Sequence, residues 1–218
     1  MRRLLTCAIS MLLPLLIAAC NSEPSTTALT GPLSPDKRED IGGGGGGGGG
    51  YTYVLVETDI CNGGTVDASS EYTSWSGVWH AERAFDNRWW AVSFDWSNWS
   101  TDGSPAHPRP TGWISYEFAQ PRLIGGYTIR ANPNGMIDRS PRSWQFQGWD
   151  ATSATWTTLH AVADTPAWTF IDNQVEKRQF EFANTTYFTK YRLNITANYG
   201  HPELLSIVEI EMFQLVLQ

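Results

Sequence analysis

The chain has almost no cysteine with which to staple a fold: three in 218 residues, at positions 7, 20 and 61. Cys7 lies in an N-terminal apolar stretch and Cys20 ends it, so Cys61 has no partner and the folded part is expected to lack disulfides. Basic residues are also scarce, 15 against 22 acidic, for a formal charge of −7. That balance excludes generic nucleic-acid binding and weakens a role on anionic membrane surfaces. No serine sits in a nucleophile-elbow setting, and no His-x-x-x-His pair or phosphate-loop pattern occurs. The histidines, His80, His107, His160 and His201, are widely separated; His80 and Glu82 could begin a metal set, but the sequence places no third ligand. Among so many acidic residues chance carboxylate pairs are expected, and none is assigned to acid–base work. No enzymatic chemistry is expected.

What is present begins with an export signal. Residues 1–19 carry Arg2 and Arg3 and then an apolar run over 12–19, too short and too one-sided to span a bilayer. The stretch LIAAC at 16–20 resembles the lipobox of bacterial lipoproteins, which implies cleavage before Cys20 and acylation of that cysteine. Several acyl chains, at about 0.8 kcal/mol per buried methylene, make such an anchor stable. Asn21 stands where an inner-membrane retention Asp would be, which points to the outer membrane of a bacterial envelope. Residues 20–50 read as a tether. They are rich in Pro, Ser and Thr, have no period that could bury a face, and end in nine glycines, 42–50. Such a run has much backbone entropy to lose and nothing to bury, so it is expected to be disordered, with a root-mean-square reach of roughly 16 Å.

Residues 51–218 are long enough for one domain with its own core. Short runs of period two, separated by Gly, Pro, Asn and Asp, predict strands over 51–56, 113–118, 123–130, 143–149, 156–162, 178–182, 187–195 and 206–213. Ile114, Tyr116 and Phe118 share a face, as do Trp144 and Phe146, opposite Gln145, Gln147 and Trp149. Tyr191, Leu193 and Ile195 alternate with Arg192 and Asn194, and Val208, Ile210 and Met212 oppose Glu209 and Glu211. About eight strands predict an all-β sandwich of two antiparallel sheets. One short helix is expected over 78–85, followed by a polar turn at Asp86 and Asn87.

Seven pieces fall in a familiar order: AFDN at 84–87, WISYEF at 113–118, IGGYTI at 124–129, PRSWQFQG at 141–148, WTTL at 156–159, YRLNI at 191–195 and LSIVEIEMF at 205–213. Together they resemble the discoidin, or coagulation-factor type C, domains and the related family 32 carbohydrate-binding modules. The resemblance implies a galactose-binding-like jelly roll. It also implies a structural calcium held by the turn after the short helix and by the last strand, with Asp86, Asn87 and Glu209 as candidate ligands. Oxygen donors from a tight turn suit a hard cation. Here the customary small residues after the Asp are replaced by Asn87, Arg88, Trp89 and Trp90, which removes one expected ligand.

Six of eleven tryptophans lie between 75 and 99. Phe85 and one of Trp89 or Trp90 read as packing. Trp96 and Trp99 sit among Ser, Asn and Asp in a loop running to Pro110. Sugars bind where an aromatic face meets the apolar side of a pyranose and polar groups hold the hydroxyls. Family 32 modules place such groups on loops at one end of the sandwich, so the resemblance nominates His80, Trp96, Asn98, Trp99, His107, Arg109, Asn134 and Arg139. Two functions stand open: a non-catalytic glycan- or polysaccharide-binding module on the cell envelope, or a protein-binding, adhesive domain of discoidin type. An exposed Trp in a concavity favours the first, a flat aromatic patch the second.

Overall fold

The computed structural model describes residues 26–28, 53–74, 77–88, 97–132, 136–171 and 174–217. The strands in chain order are β1 (Thr26–Ala28), β2 (Tyr53–Val56), β3 (Thr65–Ala68), β4 (Tyr72–Ser74), β5 (Gly77–Trp79) and β6 (Trp99–Ser100). Then come β7 (Gly112–Arg122), β8 (Ile124–Arg130), β9 (Pro141–Asp150), β10 (Thr155–Val162), β11 (Phe170–Ile171) and β12 (Gln174–Val175). The last are β13 (Lys177–Glu181), β14 (Phe188–Asn198), β15 (Ser206–Ile207) and β16 (Glu209–Leu217). Two five-stranded sheets dominate, in the orders β1-β2-β16-β8-β13 and β10-β9-β14-β7-β3, and every pairing is antiparallel. The expected all-β sandwich is what forms. Thr26–Ala28 adds a strand to Tyr53–Val56 from within the segment read as a tether. None of the described residues forms a helix long and apolar enough to cross a membrane.

The alternation in the sequence becomes the core. Ile114, Tyr116 and Phe118 of β7, Trp144 and Phe146 of β9, and Tyr191, Leu193 and Ile195 of β14 are all buried, facing Tyr127, Ile129, Ile210 and Met212 of the other sheet. Aromatic rings make a continuous spine. Phe85 meets Tyr116 at 5.0 Å, Tyr116 meets Phe118 at 4.8 Å, Phe146 stacks on Tyr191 at 5.6 Å, and Tyr127 stacks on Phe146 at 4.5 Å. Such pairs add about 0.5–1.5 kcal/mol each beyond their area.

Three expectations are corrected. The helix over 78–85 shrinks to a single 3-10 turn, Ala81–Ala84, because Trp79 is taken into the β4–β5 hairpin, where it pairs with Tyr72. The strand expected over 113–118 does not stop at Phe118: β7 runs on through Pro121 to Arg122, with a register shift against β14 around the proline. Glu209, assigned to a polar face, is completely buried.

One polar group in the core makes stability depend on pH. Trp144 Nε1 donates to the buried Tyr127 Oη at 2.8 Å, and that oxygen lies 2.9 Å from His160 Nδ1. Indole only donates, so the phenol proton is assigned to the His160 bond, which requires an unprotonated Nδ1. Burial also lowers the His160 pKa. A histidine whose folded pKa is depressed stabilises fully above its unfolded value of about 6.5 and loses that contribution as pH falls below it. Melting temperature should therefore drop between pH 7 and pH 5.5, and His160→Gln, which keeps an acceptor but cannot titrate, should show a shallower slope. Parallel slopes for the two proteins would remove His160 from the account.

Candidate functional site

Two regions hold the residues nominated from sequence. The first lies beneath the turn after the 3-10 helix. Asn87 has φ of 56°, a left-handed conformation that asparagine tolerates, and it lets Arg88 N–H donate to Asp86 Oδ1 at 2.9 Å. Ser97 Oγ donates to Asp86 Oδ2 at 2.5 Å. Asp59, on the loop after β2, accepts from Cys61 N–H at 3.0 Å and Met212 N–H at 3.1 Å through one oxygen. Its other oxygen accepts from Asn87 Nδ2 at 3.1 Å.

Glu209 opens β16 on the floor of this cluster. Its side chain is 0% exposed, and among the described residues no donor, Arg130, its register partner on β8, included, meets either carboxylate oxygen in good hydrogen-bonding geometry. Burial pushes its pKa up to about 8; the negative charges of Asp86 and Asp59 add to the effect, and the nearby Asn87 N–H only partly opposes it. A buried carboxylate without donors is costly unless it is protonated or meets a cation. Asp86, Asn87 and Glu209, nominated as calcium ligands, are thus brought together, and Asp59, which the sequence reading missed, joins them. The donor set is all oxygen and rich in carboxylate, which fits a hard divalent cation. Arg88 is exposed.

The second region is the loop end of the sandwich. The hairpin β4–β5 sets Tyr72 and Trp79 side by side, ring centroids 5.1 Å apart, both partly exposed. Next to it, His80 Nδ1 lies 2.8 Å from Glu71 Oε2, and Glu71 Oε1 accepts Ala81 N–H at 2.7 Å. Burial works to raise the Glu71 carboxyl, but the Ala81 N–H and His80 outweigh it and hold it below the usual range. Ligand atoms of Glu71, His80 and Glu82 lie within 4.8 Å of one another, so Glu71 is the third group that the His80–Glu82 pair lacked.

Ser70 ties this hairpin to the long loop: its carbonyl accepts from Trp99 Nε1 at 2.9 Å and its Oγ from Asp102 N–H at 3.3 Å. Asp102 then pairs with Arg109 Nε at 2.6 Å, and both side chains are exposed. Arg109 N–H is fixed on the Glu203 carbonyl at 2.8 Å, and a side chain at Gly103 would collide with that same carbonyl, so the loop closes tightly. His107 is exposed on a turn closed by Ser104.

The remaining nominees separate. Trp99 is 0% exposed and Asn98 is 7% exposed, so neither can meet a ligand. Their neighbours Ser100 and Thr101 are polar because they bond within the fold, to Leu205 and Arg109. Arg139, in the 3-10 turn Ile137–Arg139, is half-buried against the Met136 sulfur, and the described contacts do not join it to the His80–Arg109 group. Trp96 and Asn134 lie outside the described residues. Tyr72, Trp79, Glu71 and Asp102 were missed; Tyr72 and Trp79 belong to a hairpin that the helical reading of 78–85 concealed.

No family model and no curated protein sequence matches the chain. Solved structures do. The family 32 carbohydrate-binding module of Streptococcus pneumoniae EndoD superposes with a TM-score of 0.54 at 16% identity, covering 72% of this chain and 99% of its own. The fold is that of a family 32 carbohydrate-binding module. A second such module, CpGH89CBM32-5 of Clostridium perfringens in complex with GalNAc-β-1,3-galactose, gives 0.53 at 14% identity, covering 70% of this chain and 96% of its own. An F5/8 type C domain from Bacteroides fragilis gives 0.52 at 14% identity, with 74% and 96% covered. The discoidin-type resemblance seen in the sequence therefore holds at the level of fold. In this module-type sandwich the loop end carries Tyr72, Trp79, His80 and the Asp102–Arg109 pair.

Proposed function

We propose that the chain is a non-catalytic carbohydrate-binding module held at the bacterial cell envelope. The observation that carries this reading is the grouping of a part-exposed aromatic pair, Tyr72 and Trp79, with His80–Glu71 and Asp102–Arg109 at one end of the sandwich. An aromatic face supplies apolar contact for a sugar ring, and the fixed polar pairs supply donors and acceptors for hydroxyls. Two module-fold proteins support the assignment by name, one of them holding GalNAc-β-1,3-galactose. Lipid attachment at Cys20 and a tether over 20–50, with residence in the outer membrane, complete the proposal from sequence. Calcium belongs to it as a structural ion: Asp86, Asn87, Glu209 and Asp59 would hold it, and it would neutralise the buried carboxylate that opens β16.

A glycan array probed with the full chain tests this. Binding to galactose-like or hexosamine ligands is expected, with Trp79→Ala, which removes the stacking face, and Arg109→Ala, which removes a charged hydrogen bond worth about 1.5–3 kcal/mol, each weakening it tenfold or more. Melting temperatures should stay within a few degrees of the native value, because both side chains are exposed or partly so. An array without signal, beside a specific protein pull-down, would instead favour the adhesive, protein-binding domain.

A further inference from the structure

The sheet β10-β9-β14-β7-β3 has an outer face that the loop-end site does not use. Gly148 points into the core against the Phe188 ring, so its neighbours Gln147 and Trp149 point outward. Trp149 and Trp156 are register partners on β9 and β10, with ring centroids 5.2 Å apart. Arg192 of β14 lays its guanidinium over Trp156, 4.1 Å from the ring centroid, and its Nε donates to Gln147 Oε1 at 2.7 Å. Gln147 is itself oriented by donating from Nε2 to Gln145 Oε1 at 2.9 Å and Thr158 Oγ1 at 3.0 Å. One row further, Asn194 lies between Gln145 and Trp113 in the ladder. Trp113, Trp149, Trp156, Arg192 and Asn194 all keep part of their surface in solvent.

We infer that this face is a second carbohydrate-binding surface, for a linear polyuronate chain. Charge decides the chemistry. Arg192 has its Nε committed and its plane fixed on Trp156, while its two terminal nitrogens meet no acceptor among the described residues. A planar guanidinium edge held in this way matches a carboxylate in bidentate fashion, which a neutral sugar cannot offer. Lys190, the other cation on β14, already faces Glu117 at 3.6 Å, whereas among the described residues no carboxylate forms an ion pair with Arg192, and Asp67 stands two strands away across Ser115. Aromatic rings and side-chain amides complete the recognition: the amides of Gln145 and Asn194 both donate and accept, as sugar hydroxyls do. The form of the surface decides the length of the ligand. An open face with groups on β10, β9, β14 and β7 suits the interior of a chain, whereas a terminal sugar calls for a closed pocket. Peptide strand addition cannot occupy the groups on β9, β14 and β7, because the backbones of these three strands are already paired on both sides; only β10, at the sheet edge, is paired on one.

The test titrates the full chain with oligogalacturonate and with its methyl ester, followed by tryptophan fluorescence and calorimetry. The acid is expected to bind at least tenfold more tightly than the ester. Arg192→Gln should weaken acid binding tenfold or more and remove the preference for acid over ester, Trp149→Ala should weaken acid binding as much, and Trp79→Ala and Arg109→Ala should keep the preference for acid over ester. Comparing acid with ester needs no variant, so a fold damaged by Trp149→Ala cannot hide the answer. Equal binding of acid and ester, no binding of either, or loss only in the loop-end variants would overturn the inference and leave the loop-end reading standing. A dimer of the native chain that Trp149→Ala dissociates would overturn it too, making this face a contact between copies.

Discussion

Glu209→Gln should raise the melting temperature of the chelator-treated protein at pH 8 and abolish the further rise that calcium gives the native chain. The native carboxylate is wholly buried, and among the described residues no donor meets either oxygen in good hydrogen-bonding geometry. Burial, followed by the charge of Asp86, pushes its pKa from the ordinary 4.5 to about 8. A group whose folded pKa is raised contributes its stability in full below the unfolded pKa, and loses it as pH rises through the folded one. In chelator, then, the Glu209 contribution is present below about pH 4.5 and gone above about pH 8. Glutamine keeps the shape and removes the charge. Relief of an unsatisfied buried group is of order 1–3 kcal/mol, and each kcal/mol moves the melting temperature of a chain this size by about 2–4 °C. With calcium at a hundredfold its dissociation constant the native chain should gain about 2.7 kcal/mol, and the variant, having lost a charged ligand, should gain little. The measurement is a set of thermal melts of both proteins in chelator and in calcium across pH 5–8.5. Equal responses to calcium, or a variant less stable than native in chelator, would count against the metal role of this cluster.

Glu209 also shows where sequence patterning stops being informative. Alternation is reliable when one face of a strand is buried and the other wet, as in β7 and β14, where Ile114, Tyr116, Phe118, Tyr191, Leu193 and Ile195 went to the core as their spacing demanded. Val208, Glu209 and Ile210 are all buried, because the start of β16 has the sandwich core on one side and the Asp59 and Asp86 loops on the other. Two buried faces erase the period. The loop end was partly legible: His80, His107 and Arg109 do sit on exposed loops. Their partners were not, since Glu71 and Asp102 meet them through a hairpin and a tight loop closed by contacts to Ser70 and Glu203. Such closures depend on backbone hydrogen bonds between segments far apart in the chain, and residue type carries no record of them.

Trp99→Ala should be among the most destabilising single changes in the chain, and its effect on any ligand should follow from stability. Polar neighbours on both sides made Trp99 look like a loop residue ready to meet a sugar. Those neighbours are instead tied down: Ser206 Oγ bonds Ser100 Oγ at 3.0 Å, and Thr101 Oγ1 both donates to the Arg109 carbonyl at 2.8 Å and accepts Leu205 N–H at 3.0 Å. They hold β6 against β15, and this leaves the indole between them in the core with no exposed surface. Truncating a buried Trp costs about 3–5 kcal/mol, a large share of the 5–15 kcal/mol typical of a domain. A fall in melting temperature of roughly 6–20 °C is expected. Trp99→Phe should cost less, since it keeps most of the packing and loses the 2.9 Å bond to the Ser70 carbonyl, worth about 1 kcal/mol. That bond anchors the hairpin carrying Tyr72 and Trp79, so Trp99→Phe should weaken sugar binding modestly, whereas Trp79→Ala should weaken binding strongly with little change in melting temperature. Denaturation and binding measured on the three variants separate the roles. If Trp99→Ala melted like the native chain yet lost its ligand, Trp99 would be a contact residue and the packing of β6 against β15 would be wrong.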